Sequence, residues 1–406
     1  MKQKAIIFGL GHAFKILFTQ LELEYDIKAL TDNSYTKFHT TKSISSLTVA
    51  NGNSWEFPFT IVPPEKISSL DFDVVVITVI AEGSSKEISR QLVSLGIPET
   101  KIVPYFKNEL IKDFDQLDEL VEKWNLATLE GKNTNYLRLN NSLDFDSFVA
   151  LFGSMPPECD PFSDEYSQWE LSFFEFLAGR KYSFSHEGVP IDKINLRRQS
   201  FSAKANMEEK TSIARTQLYA DFIEIWKPKR GLNVLEMGCG QGFLLEQIGR
   251  FECTITGLDV SDGFVEYAKR LLAEKRIDAD IKCGTFYDIE KLGKVFDVVV
   301  FDGSFHHCGE PLRLLNLINE HTAPDCRVFF LREPITSDYD RPWGVVRYDF
   351  DTILQIRKSG WMELGFREDF FIEALNRAGF KHIESYFLPN MYSATSTSLY
   401  EARKVC

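Results

Sequence analysis

Two adjacent histidines, His306 and His307, stand in the segment "FDGSFHHCGEP", four residues after Asp302. An imidazole with a pKa of about 6.5 can take a proton from a nearby hydroxyl group close to neutral pH. A second interpretation is a metal ion shared by Asp302 and a histidine, although no separate cluster of ligands with recognisable spacing accompanies them. A third is a polar loop whose side chains only form hydrogen bonds with their surroundings. All three interpretations stay open.

The segment "KVFDVVV", directly before the pair, predicts a buried strand. In open α/β sheets ligands collect outside the carboxyl ends of the strands, so this position suits a catalytic base. If the pair continued the strand, the two side chains would point to opposite faces, and we expect one histidine to face the cleft. Glu333, in "FLREPI", is predicted as a further cleft residue. Its alternative role is a salt bridge with Arg332 or Arg341.

A glycine-rich turn is a second candidate site, where a ligand could bind close to the backbone. In "NVLEMGCGQGFLLEQIGR" a strand is followed by Gly238, Gly240 and Gly242 and then by a helix. Glycines let the backbone approach a ligand closely, and a helix N-terminus presents free N–H groups. Asp259 ends the next strand, "CTITGLD", where an acid can bind ribose hydroxyls. The order and spacing predict a nucleotide-type cofactor, whereas a glycine turn alone also fits a tight strand–helix connection.

These segments resemble the motifs of class I S-adenosylmethionine-dependent methyltransferases. The pattern E-x-G-x-G-x-G, which begins at Glu236, resembles their first motif, and "GLDVS" resembles their second. The segment "CGTFYDI" stands where their adenine-side loop belongs, and "FDVVVFDGSFHH" resembles their fourth strand with its catalytic loop. The resemblance covers about residues 231 to 404 and implies S-adenosylmethionine as cofactor. It also implies a mostly parallel, seven-stranded Rossmann-like sheet.

The resemblance also implies roles for single residues. The expected cofactor-binding residues are Glu236, Gly238, Gly240, Gly242, Asp259, Phe286 and Asp302. The glycines would approach the methionine end of the cofactor, Glu236 would order their loop, and Asp259 would take the ribose hydroxyls. Many members of the family carry an acid after the glycine of the third motif, where this chain has Thr285. We therefore expect Phe286 and backbone N–H groups to meet the adenine. The expected catalytic residues are His306, His307 and Glu333, with Asp302 beside the base.

The N-terminal segment "IFGLGHAFKIL" contains a weaker glycine turn. Gly9 and Gly11 are present, but Phe14 stands where a dinucleotide-binding turn has its third glycine, and Asp32 ends the second predicted strand. The segment is similar to small Rossmann-like domains attached to bacterial sugar-tailoring enzymes. That resemblance implies either a bound nucleotide-linked sugar or a packing module without a ligand.

The chain is long enough for more than one domain. Alternation of strands and helices predicts a Rossmann-like α/β domain at residues 1–106 and a methyltransferase domain at residues 229–406. Residues 107–228 are predicted to be a helical connector with possible acceptor contacts. Within it, "DPFSDEYSQWELSFFEFLAGRKYSFSHEG" is similar to a stretch in bacterial surface-polysaccharide enzymes. Trp169 and His186 are candidates to face the acceptor, with simple packing as the alternative.

An insertion after Glu333 interleaves arginines with Tyr339, Trp343, Tyr348 and Trp361. Aromatic faces with polar neighbours suit a sugar, and arginines suit a carboxylate or pyrophosphate. The same residues also fit the apolar underside of a lid.

Composition narrows the function classes. The formal net charge of -13 opposes binding to nucleic acid or to an anionic membrane surface. Seven scattered cysteines without a C-x-x-C pair favour a reducing compartment, so we expect a cytoplasmic protein. No apolar run approaches the roughly 18 residues that span a bilayer, so no integral membrane segment is expected.

The predicted function is methyl transfer from S-adenosyl-L-methionine to a hydroxyl of a sugar, either a glycan or a nucleotide-linked sugar, in bacterial surface-polysaccharide biosynthesis. One alternative is an N- or C-methyltransferase of a deoxysugar nucleotide or of a small-molecule natural product. An amine acceptor needs a strong base less, so that enzyme would tolerate loss of both histidines better. A second alternative is a binding or assembly protein without turnover.

Overall fold

The computed structural model describes residues 2–10, 14, 21–33, 47–48, 54–55, 60–79, 82–106, 109–130, 134, 137, 140–188, 209–387 and 398–405. The chain divides into two compact units. The first comprises residues 1–151, 208–210 and 349–351, and the second comprises residues 152–207, 211–348 and 352–406. The predicted boundaries at residues 106 and 228 stay predictions.

The first unit is built on a parallel sheet of five strands. In spatial order the strands are Thr60–Val62, Asp26–Thr31, Lys4–Phe8, Val74–Ile77 and Ile102–Pro104. The two central strands, "KAIIF" and "VVVI", are buried along almost their whole length because helices and turns cover both faces of a parallel sheet. Helix Glu82–Ser94 and the 3₁₀ turns Pro64–Ser69 and Glu99–Lys101 belong to the connections between the strands. A separate parallel sheet thus forms the N-terminal part of the chain.

The rest of the first unit combines helices with short strand pairs. The helices are Phe114–Leu129 and Phe145–Phe152, and the first begins at Asp113, whose side chain accepts the N–H of Gln116. Strands Glu109–Ile111 and Asn141–Leu143 pair in parallel, and Leu47–Thr48 pairs antiparallel with Ser54–Trp55. The predicted connector is therefore not purely helical, because both strands of the parallel pair lie within it.

The second unit is built on a sheet of seven strands. In spatial order they are Ala279–Cys283, Thr254–Asp259, Asn233–Met237, Phe296–Asp302, Thr322–Leu331, Ser398–Lys404 and Phe380–Phe387. All neighbours pair in parallel except Ser398–Lys404, which is antiparallel to both strands beside it. This architecture confirms the predicted α/β fold with a mostly parallel seven-stranded sheet.

The described part of the second unit also contains helices, several of which connect the strands of this sheet. They are Asp164–Ala178, Phe184–Glu187, Glu209–Trp226, Phe243–Ile248, Asp262–Glu274, Pro311–Glu320, Phe350–Ser359 and Glu368–Arg377. The 3₁₀ turns are Gly249–Phe251, Phe286–Leu292 and Phe305–His307, and a small sheet joins Ile335–Thr336, Gly365–Arg367 and Trp343–Gly344. Among the helices of the described residues, none is both long and apolar enough to cross a bilayer.

Aromatic side chains pack helix Glu209–Trp226 against the seven-stranded sheet. The ring of Phe222 lies edge-on to Phe329 of the sheet at 5.1 Å between centroids, and it stacks on Trp226 at 5.5 Å.

The carboxyl ends of the central strands lie side by side, because Met237 is in register with both Leu258 and Phe301. The residues that follow these strands therefore meet at one edge of the sheet.

Candidate active site

The glycine turn lies at this edge. Gly238 has a φ of +73° and donates its N–H to the carbonyl of Leu258 at 2.7 Å. A Cβ atom on Gly238 would lie 2.5 Å from Cβ of Ser304, whereas one on Gly240 would meet nothing within 4 Å. The turn therefore needs glycine at position 238 for its close approach to Ser304, and at Gly240 its backbone faces open space.

Asp259 ends the neighbouring strand and ties its carboxylate to the turn. Its Oδ2 accepts the N–H of Gly240 at 2.8 Å, and its Oδ1 accepts the N–H of Ser261 at 2.8 Å. Burial raises the pKa of this carboxyl group. Each carboxylate oxygen offers a second lone pair, so Asp259 can hold the turn and still accept hydroxyl groups from a ligand.

A cavity of about 250 Å³ opens beside the turn. Six of the predicted site residues line it: Gly238, Gly240, Asp259, Phe286, Asp302 and His307. The lining also includes Tyr182, Phe184, Glu187, Val260, Phe264, Gly284, Thr285, Gly303, Ser304 and Trp361. Glycine backbone, a carboxylate and aromatic faces together form a concave site of the kind that holds a nucleoside.

Asp302 takes part in a charged network at the wall of the cavity. Its Oδ1 accepts a hydrogen bond from Nε of Arg332 at 2.6 Å, and its Oδ2 accepts one from the hydroxyl of Tyr219 at 2.8 Å. The carboxylate is thus held in place before any ligand enters.

The two histidines follow the same strand but do not continue it. The strand ends at Asp302, and the 3₁₀ turn Phe305–His307 places the two rings side by side, with centroids 4.4 Å apart. The pair therefore does not continue the strand, and the two rings are not separated onto opposite faces of it. His307 lines the cavity and His306 does not, so one histidine faces the cleft, as expected.

Each histidine ring is paired with a different carboxylate. Nδ1 of His306 lies 2.8 Å from Oε2 of Glu333, and Nδ1 of His307 lies 3.0 Å from Oε2 of Glu187. Burial and the neighbouring ring of His307 lower the pKa of His306. Burial also opposes the charging of His307, but Glu187 outweighs it and raises the pKa of His307 to about 9.

Glu333 holds the histidine turn. Its Oε1 accepts the N–H groups of Ser304 and Phe305 at 2.8 and 2.9 Å, and it is 1% exposed. Burial opposes its ionisation, but His306 and these N–H groups hold its pKa below the usual value. The alternative of a salt bridge with Arg332 or Arg341 is wrong.

The two arginines bind other acids. Arg332 pairs with Asp302, and Arg341 pairs with Glu170. Both pairs are built from residues of the second unit.

Comparison with known proteins agrees with this geometry. Residues 234–325 match the family described as Methyltransferase domain. The second unit contains a methyltransferase domain. The match confirms, for this domain, the predicted enzyme class and its cofactor, S-adenosylmethionine. Residues 1–103 match the family described as C2185-like, N-terminal.

Individual relatives cover only part of the chain. The ubiquinone biosynthesis O-methyltransferase of Mesorhizobium japonicum is 35% identical over 134 residues, which are 32% of this chain and 49% of that protein. The enzyme of the same name from Coxiella burnetii is 25% identical over 109 residues, 27% of this chain and 47% of that protein. The chain thus spans about half the length of these curated relatives.

Two solved structures are similar to part of the chain. The CurJ carbon methyltransferase has a TM-score of 0.42 at 13% identity, covering 72% of this chain and 92% of its own. The magnesium protoporphyrin IX methyltransferase from Synechocystis, solved with bound SAH, has a TM-score of 0.37 at 15% identity, covering 48% and 86%.

Two predicted cofactor residues of the methyltransferase domain are not among the residues that line the cavity. A Cβ atom on Gly242 would lie 3.1 Å from Cβ of Ala268, so this glycine allows the turn to approach the next helix. Glu236 is buried, and among the described residues its Oε2 has no hydrogen-bond partner. Burial, Asp302 and Asp259 raise its pKa well above the usual value. The role of Glu236 in ordering the loop stays a prediction.

Two further carboxylates at the histidines were missed by sequence reasoning. Glu187 ends the short helix Phe184–Glu187, and its Oε1 accepts the N–H of Met362 at 2.9 Å. Oε2 of Glu363 lies 3.6 Å from Nε2 of His306 and accepts a hydrogen bond from Arg347 at 3.0 Å. The available signals were weak, since Glu187 follows the candidate His186 and Glu363 stands two residues after Trp361.

The aromatic candidates outside the methyltransferase motifs separate into two groups. Trp361 lines the cavity, as a residue that contacts an acceptor would. Trp343 is buried and stacks on Phe370, and Trp169 is buried and stacks on Phe173. Packing is therefore the observed role of Trp169 and Trp343.

Proposed function

We propose that this chain transfers the methyl group of S-adenosylmethionine to a hydroxyl oxygen. The observation that carries the proposal is that one cavity is lined both by the glycine turn with Asp259 and by His307. The first group suits the cofactor, and the second suits an acceptor that must lose a proton. The names of the relatives from Mesorhizobium and Coxiella, both O-methyltransferases, support oxygen as the methylated atom.

The proposed reaction is an in-line displacement at the methyl carbon. The acceptor oxygen attacks this carbon, the carbon–sulfur bond breaks, and S-adenosylhomocysteine leaves. The hydroxyl proton must be removed as the oxygen attacks. The paired rings of His306 and His307, with the carboxylates around them, are the groups proposed to promote that loss, and Glu333 holds their turn in place.

The proposed acceptor is a sugar hydroxyl, on a glycan or a nucleotide-linked sugar. It is supported by the aromatic face of Trp361 beside the charged groups of the cavity, a combination that suits a polyhydroxylated ring. A second candidate acceptor is an intermediate of ubiquinone biosynthesis, which the names of the relatives favour.

The test has two parts on the full chain. Calorimetric titration with S-adenosylhomocysteine is expected to show binding by wild type and by His307→Ala, and loss of binding by Asp259→Ala. Transfer from methyl-labelled cofactor is then measured into nucleotide sugars, oligosaccharides and ubiquinone precursors. We expect label in one acceptor class with wild type, none with His307→Ala, and normal transfer with the control His321→Ala.

Three results would change the proposal. Label in a ubiquinone precursor would replace the sugar by the second candidate. Transfer to an amine that survives loss of both histidines would favour the N-methyltransferase alternative. Cofactor binding without transfer to any acceptor would favour a binding protein.

A further inference from the structure

The histidine turn brings together more ligand atoms than proton transfer requires. One donor atom each from His306, His307 and Glu363 lies within 4.8 Å of the others. We propose that these three side chains bind a divalent first-row transition-metal ion of the Zn²⁺ or Mn²⁺ type. The metal interpretation of the sequence paired Asp302 with a histidine, whereas this set contains Glu363 and not Asp302.

The orientation of the rings supports this site. A histidine that binds a metal usually gives its other ring nitrogen to a carboxylate, which fixes the ring and its tautomer. His306 shows this arrangement, because Oε2 of Glu333 lies 2.8 Å from its Nδ1. A carboxylate also stands beside the second ring, since Oε2 of Glu187 lies 3.0 Å from Nδ1 of His307. The opposite nitrogen of His306, Nε2, is left facing Glu363.

The spacing of the donors also fits. Metal–ligand bonds of about 2.0 to 2.2 Å place two ligands of one ion roughly 3 to 4 Å apart. Nε2 of His306 and Oε2 of Glu363 are 3.6 Å apart, within that range. The widest separation in the set is below 4.8 Å, so side-chain shifts smaller than about 1 Å bring all three donors onto one ion.

The charge of the surroundings favours a cation. The carboxylates of Glu187, Glu333 and Glu363 face the two rings, and Arg347 contacts Glu363. Three carboxylates thus surround the two rings and one arginine faces them, and buried excess negative charge is unfavourable unless a cation compensates it. Imidazole and carboxylate ligands together suit Zn²⁺, Mn²⁺ or Fe²⁺, whereas Mg²⁺ prefers oxygen ligands and water.

The ion would act on the acceptor. His307 lines the cavity, so an ion beside it is in reach of a bound hydroxyl group, and coordination lowers the pKa of that group. The O–H bond breaks with transfer of the proton to Glu187, the oxygen forms its bond to the methyl carbon, and the carbon–sulfur bond breaks. This step rests on the proposed function, whereas binding of the ion does not.

Metal binding is tested on the full chain after treatment with a chelator. Calorimetric titration with Zn²⁺ and visible absorption during titration with Co²⁺ are expected to show one ion per chain with imidazole ligands. Glu333→Gln, which keeps the size of the side chain but removes the charge behind His306, is expected to weaken binding about 10- to 100-fold. Glu363→Gln and His306→Gln each remove a ligand and should weaken it further. His321→Gln, which changes a histidine outside the cluster, should bind as wild type does.

Titration with S-adenosylhomocysteine is run on every variant as a check of folding. The proposal is overturned if wild type binds S-adenosylhomocysteine but neither ion. It is equally overturned if Glu363→Gln and His306→Gln bind Zn²⁺ with wild-type affinity. Intact ion binding without methyl transfer to any acceptor would contradict the proposed function and leave the metal site standing.

Discussion

In both units a hydrogen bond links the turn after the first strand to an aspartate at the end of the second strand. In the first unit Oδ2 of Asp32 accepts the N–H of Leu10 at 2.8 Å, and in the second unit Oδ2 of Asp259 accepts the N–H of Gly240 at 2.8 Å. In both, an acid at the end of the second strand holds the turn after the first. The motif and its hydrogen bond therefore do not by themselves identify a cofactor site.

The surroundings of the two turns differ. The first glycine is crowded in both turns, because a Cβ atom on Gly9 would lie 2.8 Å from Cγ2 of Val79 and one on Gly238 would lie 2.5 Å from Cβ of Ser304. In the second unit the turn continues to Gly240, which lines the cavity and where a Cβ atom would meet nothing within 4 Å. Gly11 lies outside the described residues, and the nucleotide-sugar ligand of the first unit stays a prediction. Open space beside the second glycine is what supports a ligand at the turn of the second unit.

The largest difference in cofactor affinity between the two units is expected when the first glycine of each turn is replaced by alanine. Gly238→Ala places a methyl group 2.5 Å from Ser304 at a φ of +73°, so we expect a loss of S-adenosylhomocysteine affinity greater than about 100-fold. Gly9→Ala is also strained, at a φ of +102°, and should lower the melting temperature without changing this affinity. Calorimetry and thermal unfolding measure both. Loss of S-adenosylhomocysteine affinity in Gly9→Ala would contradict this prediction, because it would place the cofactor in the first unit.

Neutralising the two acids should give the next largest difference. Asp259→Asn removes charged hydrogen bonds worth about 1.5 to 3 kcal/mol, so we expect roughly 10- to 100-fold weaker binding of S-adenosylhomocysteine. Asp32→Asn is the matched control and should bind as wild type does. Equal affinities of the two variants would remove Asp259 from the proposed ribose contact.

A smaller effect is expected at the aromatic wall of the cavity. Phe286→Leu keeps an apolar side chain but removes the ring, and an aromatic contact is worth about 0.5 to 1.5 kcal/mol. We expect a decrease in S-adenosylhomocysteine affinity of about two- to tenfold. Phe72→Leu, in the first unit, should leave the affinity unchanged. A Phe286 variant with wild-type affinity would place the adenine elsewhere.

The smallest predicted effect is a dependence on pH. Burial raises the pKa of Asp259, and the ionised form is the better acceptor for ribose hydroxyls. Affinity should therefore be full above this pKa and fall as the pH decreases through it, with a loss of about twofold where half of the groups are protonated. Calorimetric titrations at a series of pH values check this. The dependence should flatten in Asp259→Asn, and an unchanged profile there would point to another group.

The parts of this structure that sequence predicted are those encoded in local patterns. The strand "FDVVVFD" is almost fully buried, and Gly238 to Gly242 form the expected turn. Asp259 lies at the end of its strand, as the spacing indicated. These features depend on neighbouring residues, so a short segment contains the information.

The surroundings of the histidines depend on distant segments instead. Glu187 comes from a helix before the methyltransferase domain, and Glu363 comes from the insertion that follows Glu333. No spacing within either segment indicates that both carboxylates meet the same two rings. Nothing in "DGSFHH" showed that the strand ends at Asp302, so the sequence did not indicate the turn that carries His306 and His307.

The most direct test of the central claim, that the cavity of the second unit holds the cofactor, is ultraviolet cross-linking of methyl-labelled S-adenosylmethionine followed by peptide mapping. We expect label in peptides that carry Gly238, Asp259 or Phe286, and we expect excess S-adenosylhomocysteine to suppress this labelling. Label within residues 1–106, suppressed in the same way, would contradict it.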